Sequence, residues 1–268
     1  MENVFKKAQR FILENGTELQ KSCLNYLLGK EPKKNLMMAL QKYQNSNGGW
    51  AHGLEIEYQG TLSSVMTTAA ALAYLYLFDL GDTPLFESTL EYLKVKQDDS
   101  GCWDDENEIK AFQLPPYYLP GSYVEYKTGM ILKWLRRLAI DQEMVVRGYQ
   151  FMLERYNDSL KSEDIWTAIA YSNAFTEYPH QKSEEIIERA LRILMKQSDM
   201  KETGGLSWMQ VQGMIYEDNK MLESIKEQVV DLIKTHQLEN GGWPHQFGTY
   251  NQVWAAVLIV RFLIIVKE

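Results

Sequence analysis

The sequence predicts an all-α fold, an (α/α)6 toroid built from six outer–inner helix hairpins. A short motif, in which a helix ends at Gln and a Trp follows six positions later, recurs in three close copies among the 268 residues. Apolar residues spaced by three and four positions flank the copies, as in amphipathic helices, and almost no stretch shows the alternation typical of a strand. Self-similarity of this kind indicates repeated helical hairpins.

The repeated unit consists of an outer helix, a tight turn and an inner helix. Glycine and polar residues between the Gln and the Trp predict the turn. The close copies are ALQKYQNSNGGW (39–50), EYLKVKQDDSGCW (91–103) and DLIKTHQLENGGW (231–243). A looser copy is ALRILMKQSDMKETGGLSW (190–208), and GYQFMLERYNDSLKSEDIW (148–166) keeps the helix and a Trp without the Gln and glycines.

The stretches that follow these turns are more apolar than those that precede them, which predicts that the second helix of each pair is buried. Their alanines, such as Ala69, Ala168, Ala170 and Ala255, would allow neighbouring helices to approach closely. Six pairs are expected, at roughly 2–29, 33–80, 83–140, 142–177, 181–216 and 219–266. We expect them to close into one toroidal domain over 1–268, with an open α-solenoid as the alternative.

Composition narrows the function classes. A net charge of −8 and a pI near 5.2 argue against a nucleic-acid partner, which would need a basic surface. The most apolar run, 253–266, is too short to span a bilayer and contains Arg261, so no integral membrane segment is expected. Cys23 and Cys102 have no metal-ligand or disulfide spacing, and a cytoplasmic location is expected. The oligomeric state is not predicted.

The Gln–x3–Gly–x–Trp pattern, at Gln44, Gln97 and Gln237, resembles the QW repeat of squalene–hopene cyclases and related terpenoid cyclases, whose superfamily includes protein prenyltransferase β subunits. The segment GGWAHGLE (48–55) is similar to one found in uncharacterised bacterial single-domain toroid proteins. This resemblance implies an α/α toroid with an apolar central cavity. It also implies that the Gln and Trp residues of the repeat are structural.

The chain departs from the catalytic motifs of that superfamily. Class II terpenoid cyclases protonate their substrate with an aspartate of a DxDD motif at the head of an inner helix. The matching passages, TLSSVMTTAAAL (61–72) and SYVEYKTGMIL (122–132), contain no Asp. The Asp, Cys and His zinc set of the prenyltransferases has no counterpart either. The resemblance therefore implies the fold and the cavity, and no catalytic residue.

The segment AHGLEIE (51–57) is the strongest candidate for acid–base chemistry. If the repeated turns share one end of the toroid, its mouth, this segment crosses the mouth on the way to an inner helix. His52 and Glu55 could then share a proton, with help from Glu57 or Asp105. The alternative is that His52 binds a backbone carbonyl and the glutamates are solvated.

A second acidic segment, WDDENE (103–108), is comparable with the DDxx(D/E) motif of class I terpene synthases. In that motif the acids share Mg²⁺ ions that hold a diphosphate. Asp104, Asp105 and Glu108 could bind Mg²⁺ in the same way, but they follow a turn and Lys110 is the one basic residue close by. We expect no cofactor, with this Mg²⁺ site as the alternative.

Aromatic residues supply candidates for ligand contact. Tyr117, Tyr118 and Tyr123 belong to a long proline-containing loop (112–126), and loops of this length are often binding loops. The candidates on inner helices are Trp166, Tyr171, Tyr250 and Trp254. Core packing is the alternative for each of them.

Three functional hypotheses follow. The first is a terpenoid-cyclase-like toroid that holds an isoprenoid or other hydrophobic small molecule and uses acid–base chemistry. The second is a carbohydrate-active (α/α)6 enzyme with paired carboxylates across a cleft rich in aromatic residues. The third is a non-catalytic binding or interaction toroid, since one architecture hosts many functions.

Overall fold

The computed structural model of the chain describes residues 2–140, 142–197, 226–244 and 248–265. Regular structure within these ranges is helical, and β pairing is limited to isolated bridges, so the predicted all-α class is confirmed. The helices are α1 (Glu2–Asn15), α2 (Glu18–Leu27), α3 (Lys33–Gln41), α4 (Val65–Leu77), α5 (Pro84–Lys96), α6 (Val124–Arg137), α7 (Glu143–Ser159), α8 (Ile165–Phe175), α9 (Ser183–Gln197), α10 (Lys226–His236) and α11 (Gly248–Ile265). None of these helices combines the length and apolar character needed to cross a membrane.

The helices follow the predicted hairpins. The pairs α1/α2, α3/α4, α5/α6, α7/α8 and α10/α11 each contain an outer helix and a more deeply buried inner helix. Helix α9 is the outer helix of the remaining pair. The loose repeat copy around Trp208, and the inner helix predicted within the pair 181–216, lie outside the described residues.

The chain divides into two compact units. One comprises Met1–Leu40 with Glu202–Glu268, and in it α11 packs on α1 and α2. The other comprises Gln41–Lys201, and in it α6 packs on both α4 and α8. A Cβ atom added at Gly129 of α6 would lie 2.7 Å from the carbonyl oxygen of Ala170 on α8. Small residues on inner helices therefore permit close approach, as the sequence predicted.

The glutamine of each repeated turn binds two backbone carbonyls, one within its own turn and one in the first turn of another outer helix. The Nε2 acceptors are Gly48 O (3.0 Å) and Leu85 O of α5 (2.9 Å) for Gln44; Gly101 O (2.8 Å) and Met144 O of α7 (2.7 Å) for Gln97; and Gly241 O (3.0 Å) and Val4 O of α1 (2.9 Å) for Gln237. The last repeated turn is therefore bound to the first helix of the chain.

The tryptophan of each copy is fully buried and joins the turn to helices. The indole N–H of Trp103 donates to Leu93 O of α5 at 2.8 Å, and its backbone N–H donates to Thr128 Oγ1 of α6 at 3.2 Å. Trp243 repeats the indole contact, with Ile233 O of α10 at 2.8 Å. The contacts of Trp50 differ in that its indole donates to Thr89 Oγ1 at 2.9 Å. The repeat residues thus have structural partners.

The glycine of each turn lies directly against the neighbouring outer helix. Gly101 has φ 93°, in the left-handed region that favours glycine, and an added Cβ would lie 2.4 Å from Arg147 O of α7. Gly48 and Gly241 repeat this arrangement against Ser88 O and Lys7 O. The turn therefore requires glycine for its backbone conformation and for space.

Gly101→Ala is expected to destabilise the protein by about 3 kcal/mol or more, because left-handed strain and a backbone clash act together. Gly29→Ala is the matched control, since Gly29 has φ 65° but nothing within 4 Å of an added Cβ. It should cost about 1–2 kcal/mol. Urea denaturation measures both free energies of unfolding, and equal losses would contradict the packing role of Gly101.

Candidate functional site

The chain makes a compact turn over residues 51–60 between Trp50 and α4. The backbone N–H of His52 donates to Gly60 O at 2.9 Å, and that of Tyr58 donates to Glu55 O at 3.1 Å. This turn brings the Glu55 side chain to Tyr118, whose phenol O–H donates to Glu55 Oε2. Tyr118 is fully buried, and its Oη lies 3.5 Å from Thr67 Oγ1 in the first turn of α4. A carboxyl–phenol pair is the centre of the site.

Glu55 is partly exposed as a residue, but its carboxyl group is enclosed by protein atoms. Burial raises the pKa of Glu55 to about 8, because the charged form loses more hydration than the neutral form. The hydrogen bond from Tyr118 lowers this pKa by less, and the negative charges of Glu57 and Asp105 raise it further. Glu55 is therefore mainly protonated at neutral pH.

Asp105 reaches the head of α4 from the connection between α5 and α6. Its Oδ1 accepts a 2.6 Å hydrogen bond from the backbone N–H of Val65, the first residue of α4. Such N–H groups lack helical acceptors and carry partial positive charge. Burial raises the pKa of Asp105 to about 6, although Lys127 and the Val65 N–H oppose the rise. A buried acid thus lies at the start of an inner helix whose own sequence supplies none.

Lys127 of α6 is fully buried beside these acids. Its Nζ donates to Asp104 Oδ1 and to Leu119 O (2.9 Å), and it lies 3.8 Å from Asp105 Oδ2. Asp104 Oδ2 in turn accepts a 2.6 Å hydrogen bond from Gly121 N. A buried ammonium group requires partners of this kind, since an unpaired one would be strongly destabilising.

The Tyr118 ring belongs to a connected cluster of six aromatic rings, which we term the aromatic wall: Tyr58, Phe112, Tyr117, Tyr118, Tyr126 and Trp166. Neighbouring rings have centroids 5.2 Å (Tyr117–Trp166) to 6.1 Å (Tyr117–Tyr126) apart, in tilted and edge-to-face arrangements. Met66 and Ile109 are buried against the same rings. The environment of Glu55 is therefore largely apolar.

The structure brings together five of the residues that the sequence singled out, namely Glu55, Asp105, Tyr117, Tyr118 and Trp166. Glu57 is partly exposed and acts on Glu55 through its charge. The expected proton-sharing pair of His52 and Glu55 is not formed. His52 is exposed with φ 61°, and its Nε2 is hydrogen-bonded to Asn45 Oδ1 at 2.8 Å. Tyr118 takes the place predicted for His52.

The remaining aromatic candidates are Tyr123, Tyr171, Tyr250 and Trp254. Tyr123 is the residue before α6, and its ring has no aromatic neighbour among the described residues. Tyr171 is fully buried, and its phenol donates to Met152 O of α7 at 3.1 Å, a contact that supports core packing. Tyr250 and Trp254 lie on α11, in the other compact unit.

The three acids considered for Mg²⁺ do not gather around a common point. Asp104 and Asp105 are both held by Lys127, while Glu108 is exposed on a short 3-10 helix (Asn107–Ala111). Across the described ranges, no group of three or more His, Cys, Asp or Glu side chains could hold a metal ion.

The architecture is shared with solved structures of a terpene cyclase. Variants of the type II terpene cyclase MstE from Scytonema, in complex with geranylgeranyl dihydroxybenzoate and with merosterolic acid A, superpose on the chain with TM-scores of 0.57 at 13% and 14% identity. These alignments cover 99% and 98% of this chain and 97% and 96% of MstE. The chain has the α/α-toroid fold of type II terpene cyclases. No protein-family model matches it, and no curated protein matches it in sequence.

Within that fold, the sequence singled out both acids, Glu55 and Asp105, and missed Lys127. No acid lies in the α4 sequence. Asp105 reaches the first turn of α4 at the Val65 N–H, and Glu55 is linked to that turn through Tyr118, whose phenol oxygen lies 3.5 Å from Thr67 Oγ1. Lys127 lies one turn before the buried Ile131 and two turns before the buried Trp134. A lysine on the apolar face of a predicted inner helix is the signal that could have identified it.

Glu55→Gln is expected to change the pH dependence of stability. Because the folded pKa of Glu55 is raised from 4.5 to about 8, the folded state binds this proton more tightly than the unfolded state. As pH rises from 4.5 to about 8, the free energy of unfolding of the wild type should fall relative to that of Glu55→Gln, by up to about 1.4 kcal/mol per pH unit. Above about pH 8 no further relative loss is expected. Urea denaturation at several pH values measures the difference.

Glu108→Gln serves as the control in that series, because Glu108 is exposed and should track the wild type at every pH. Parallel curves for Glu55→Gln and the wild type would refute a buried, protonated Glu55.

Proposed function

We propose that this chain binds an isoprenoid or other hydrophobic small molecule beside Glu55 and uses Glu55 as a proton donor. The observation that carries this proposal is the Glu55 carboxyl group, hydrogen-bonded to the fully buried Tyr118 within an aromatic wall. A site lined by rings with one oriented polar group suits an apolar ligand. The ligand class is supported by MstE, a protein of the same fold that holds geranylgeranyl dihydroxybenzoate.

The chemistry that suits this arrangement is proton transfer to a carbon–carbon double bond. The π electron pair forms the new C–H bond, and the O–H pair remains on Glu55 as a carboxylate. The hydrogen bond from Tyr118 stabilises that carboxylate, and the faces of nearby rings stabilise the cation. Return of a proton from a carbon next to the cation to Glu55 completes an isomerisation or cyclisation with balanced atoms and electrons.

A carbohydrate-active function is less well supported. Such enzymes place two carboxyl groups roughly 5–10 Å apart across a cleft that admits sugar and water. The obvious second carboxyl is that of Asp105, but its side chain is almost fully buried and is held by the Val65 N–H and the charge of Lys127. It is not a freely accessible base or nucleophile.

Isothermal titration calorimetry can test ligand binding. Geranylgeraniol represents the proposed hydrophobic ligand, and maltohexaose represents the carbohydrate alternative. Tyr117→Ala and Trp166→Ala should each weaken geranylgeraniol binding about tenfold or more, because each removes a ring of the aromatic wall. Tyr123→Ala is the matched control and should bind like the wild type. Binding of maltohexaose in preference to geranylgeraniol would overturn the proposed ligand class.

Turnover tests the acid role separately from binding. Glu55→Gln should bind an acyclic polyprenyl substrate within about threefold of wild type. It should lose turnover by about 100-fold or more, since it retains shape but has no acidic proton. Gas chromatography with mass spectrometry detects the products, and Glu108→Gln should retain activity. Undiminished turnover in Glu55→Gln would contradict the proposed role, and binding by the wild type without product would favour a binding protein.

A further inference from the structure

We propose that Lys127 is a positioning residue that acts through Asp105, holding it as a carboxylate at the head of α4 and thereby setting the protonation state of Glu55. This inference rests on the proposed role of Glu55 as proton donor. It adds a residue of α6 whose ammonium group contacts Asp104, Asp105 and Leu119.

The Lys127 ammonium group is buried close to both Asp104 and Asp105. The Lys127 side chain is 0% exposed, and its Nζ contacts Asp104 Oδ1, Leu119 O and, at 3.8 Å, Asp105 Oδ2. Desolvation of a lysine is unfavourable, and the pairing with Asp104 alone, whose side chain is 25% exposed, would not require full burial of the ammonium group. The buried position brings the positive charge to Asp105.

Hydrogen bonds satisfy one oxygen of Asp105 and not the other. Its Oδ1 accepts from the Val65 N–H and the Ser64 side chain also favours the charged form, whereas its Oδ2 is buried and accepts no hydrogen bond from any described group. The charge of Lys127 and the amino end of α4 therefore stabilise the carboxylate form together. Without Lys127, one oxygen would be buried beside Asp104 with no compensating cation, and protonation would be favoured.

Asp105 and Glu55 are coupled electrostatically. Burial is the main cause of the raised pKa of Glu55, and the negative charges of Glu57 and Asp105 raise this pKa further, so an ionised Asp105 helps to keep the proton on Glu55. The other ionisable groups that act on this pair are Glu57 beside Glu55, Asp104 beside Asp105, and Tyr58, Tyr92, Tyr117 and Tyr118 from the surrounding segments. Lys127 is the cation among the groups that act on Asp105.

Lys127 also fixes the segment that carries the hydrogen-bond partner of Glu55. It binds Leu119 O, directly after Tyr118, while Asp104 binds the N–H of Gly121. The Tyr118 phenol is thus supported from both sides of its short 3-10 turn (Pro116–Tyr118). One side chain contributes to the charge of Asp105 and to the position of Tyr118.

The test is a pH titration of side-chain carboxyl ¹³C shifts in ligand-free protein labelled at Asp and Glu, with Glu55→Gln and Asp105→Asn used for assignment. In Lys127→Met we expect the Asp105 midpoint to rise by about one pH unit or more, because its carboxylate loses the nearby cation. A purely structural role would not move this midpoint in a variant that keeps the fold. Lys133→Met, which removes a second buried lysine of α6, should leave both midpoints unchanged.

Asp105→Asn keeps the Lys127–Asp104 pair and tests the coupling even if Lys127→Met fails to fold. Its Glu55 midpoint should fall by about one pH unit. An Asp105 midpoint that stays at the wild-type value in Lys127→Met, or a Glu55 midpoint that stays at the wild-type value in Asp105→Asn, overturns the inference. Because no ligand is present, these outcomes are independent of whether the protein binds or converts an isoprenoid.

Discussion

A glutamine side chain at the end of an outer helix can bind two backbone carbonyls at once, and Gln44, Gln97 and Gln237 each do so. Each connects its turn to the first turn of another outer helix, where a glycine with positive φ allows the backbones to touch. The segments that follow Trp50 and Trp103 begin at these anchored turns. The location of Glu55 and Asp105 near α4 depends on this constraint, because both acids lie within five residues of a repeat tryptophan.

The buried charges near α4 form one coupled system. Lys127 and the amino end of α4 favour ionised Asp105, while burial and the charge of Asp105 favour neutral Glu55. Two carboxyl groups in the same site are thereby driven toward different protonation states, an arrangement typical of acid–base assignments in enzymes. The surrounding rings strengthen the effect, since they exclude the water that would otherwise solvate both acids.

The sequence alone predicted the repeats and the helix pairs and singled out residues 51–57, because periodicity and turn chemistry are local signals. Side-chain partners are not local. His52 adjoins Glu55 in sequence, but its left-handed backbone orients the imidazole to Asn45 instead. Tyr118 and Lys127 reach the site from segments more than 60 residues further along the chain, and no spacing rule connects them to Glu55. Some residues of the site were therefore predictable from the sequence, but the hydrogen-bond partners of those residues were not.

The most direct test of the central claim is a crystal structure of the protein with an unreactive geranylgeranyl analogue. We expect a carbon corresponding to a double bond of the substrate to lie within about 3.5 Å of a Glu55 carboxyl oxygen, with the hydrocarbon chain of the analogue packed against Tyr117 and Trp166. An analogue bound away from Glu55, or a site around Glu55 filled by its own side chains with no room for the analogue, would contradict it.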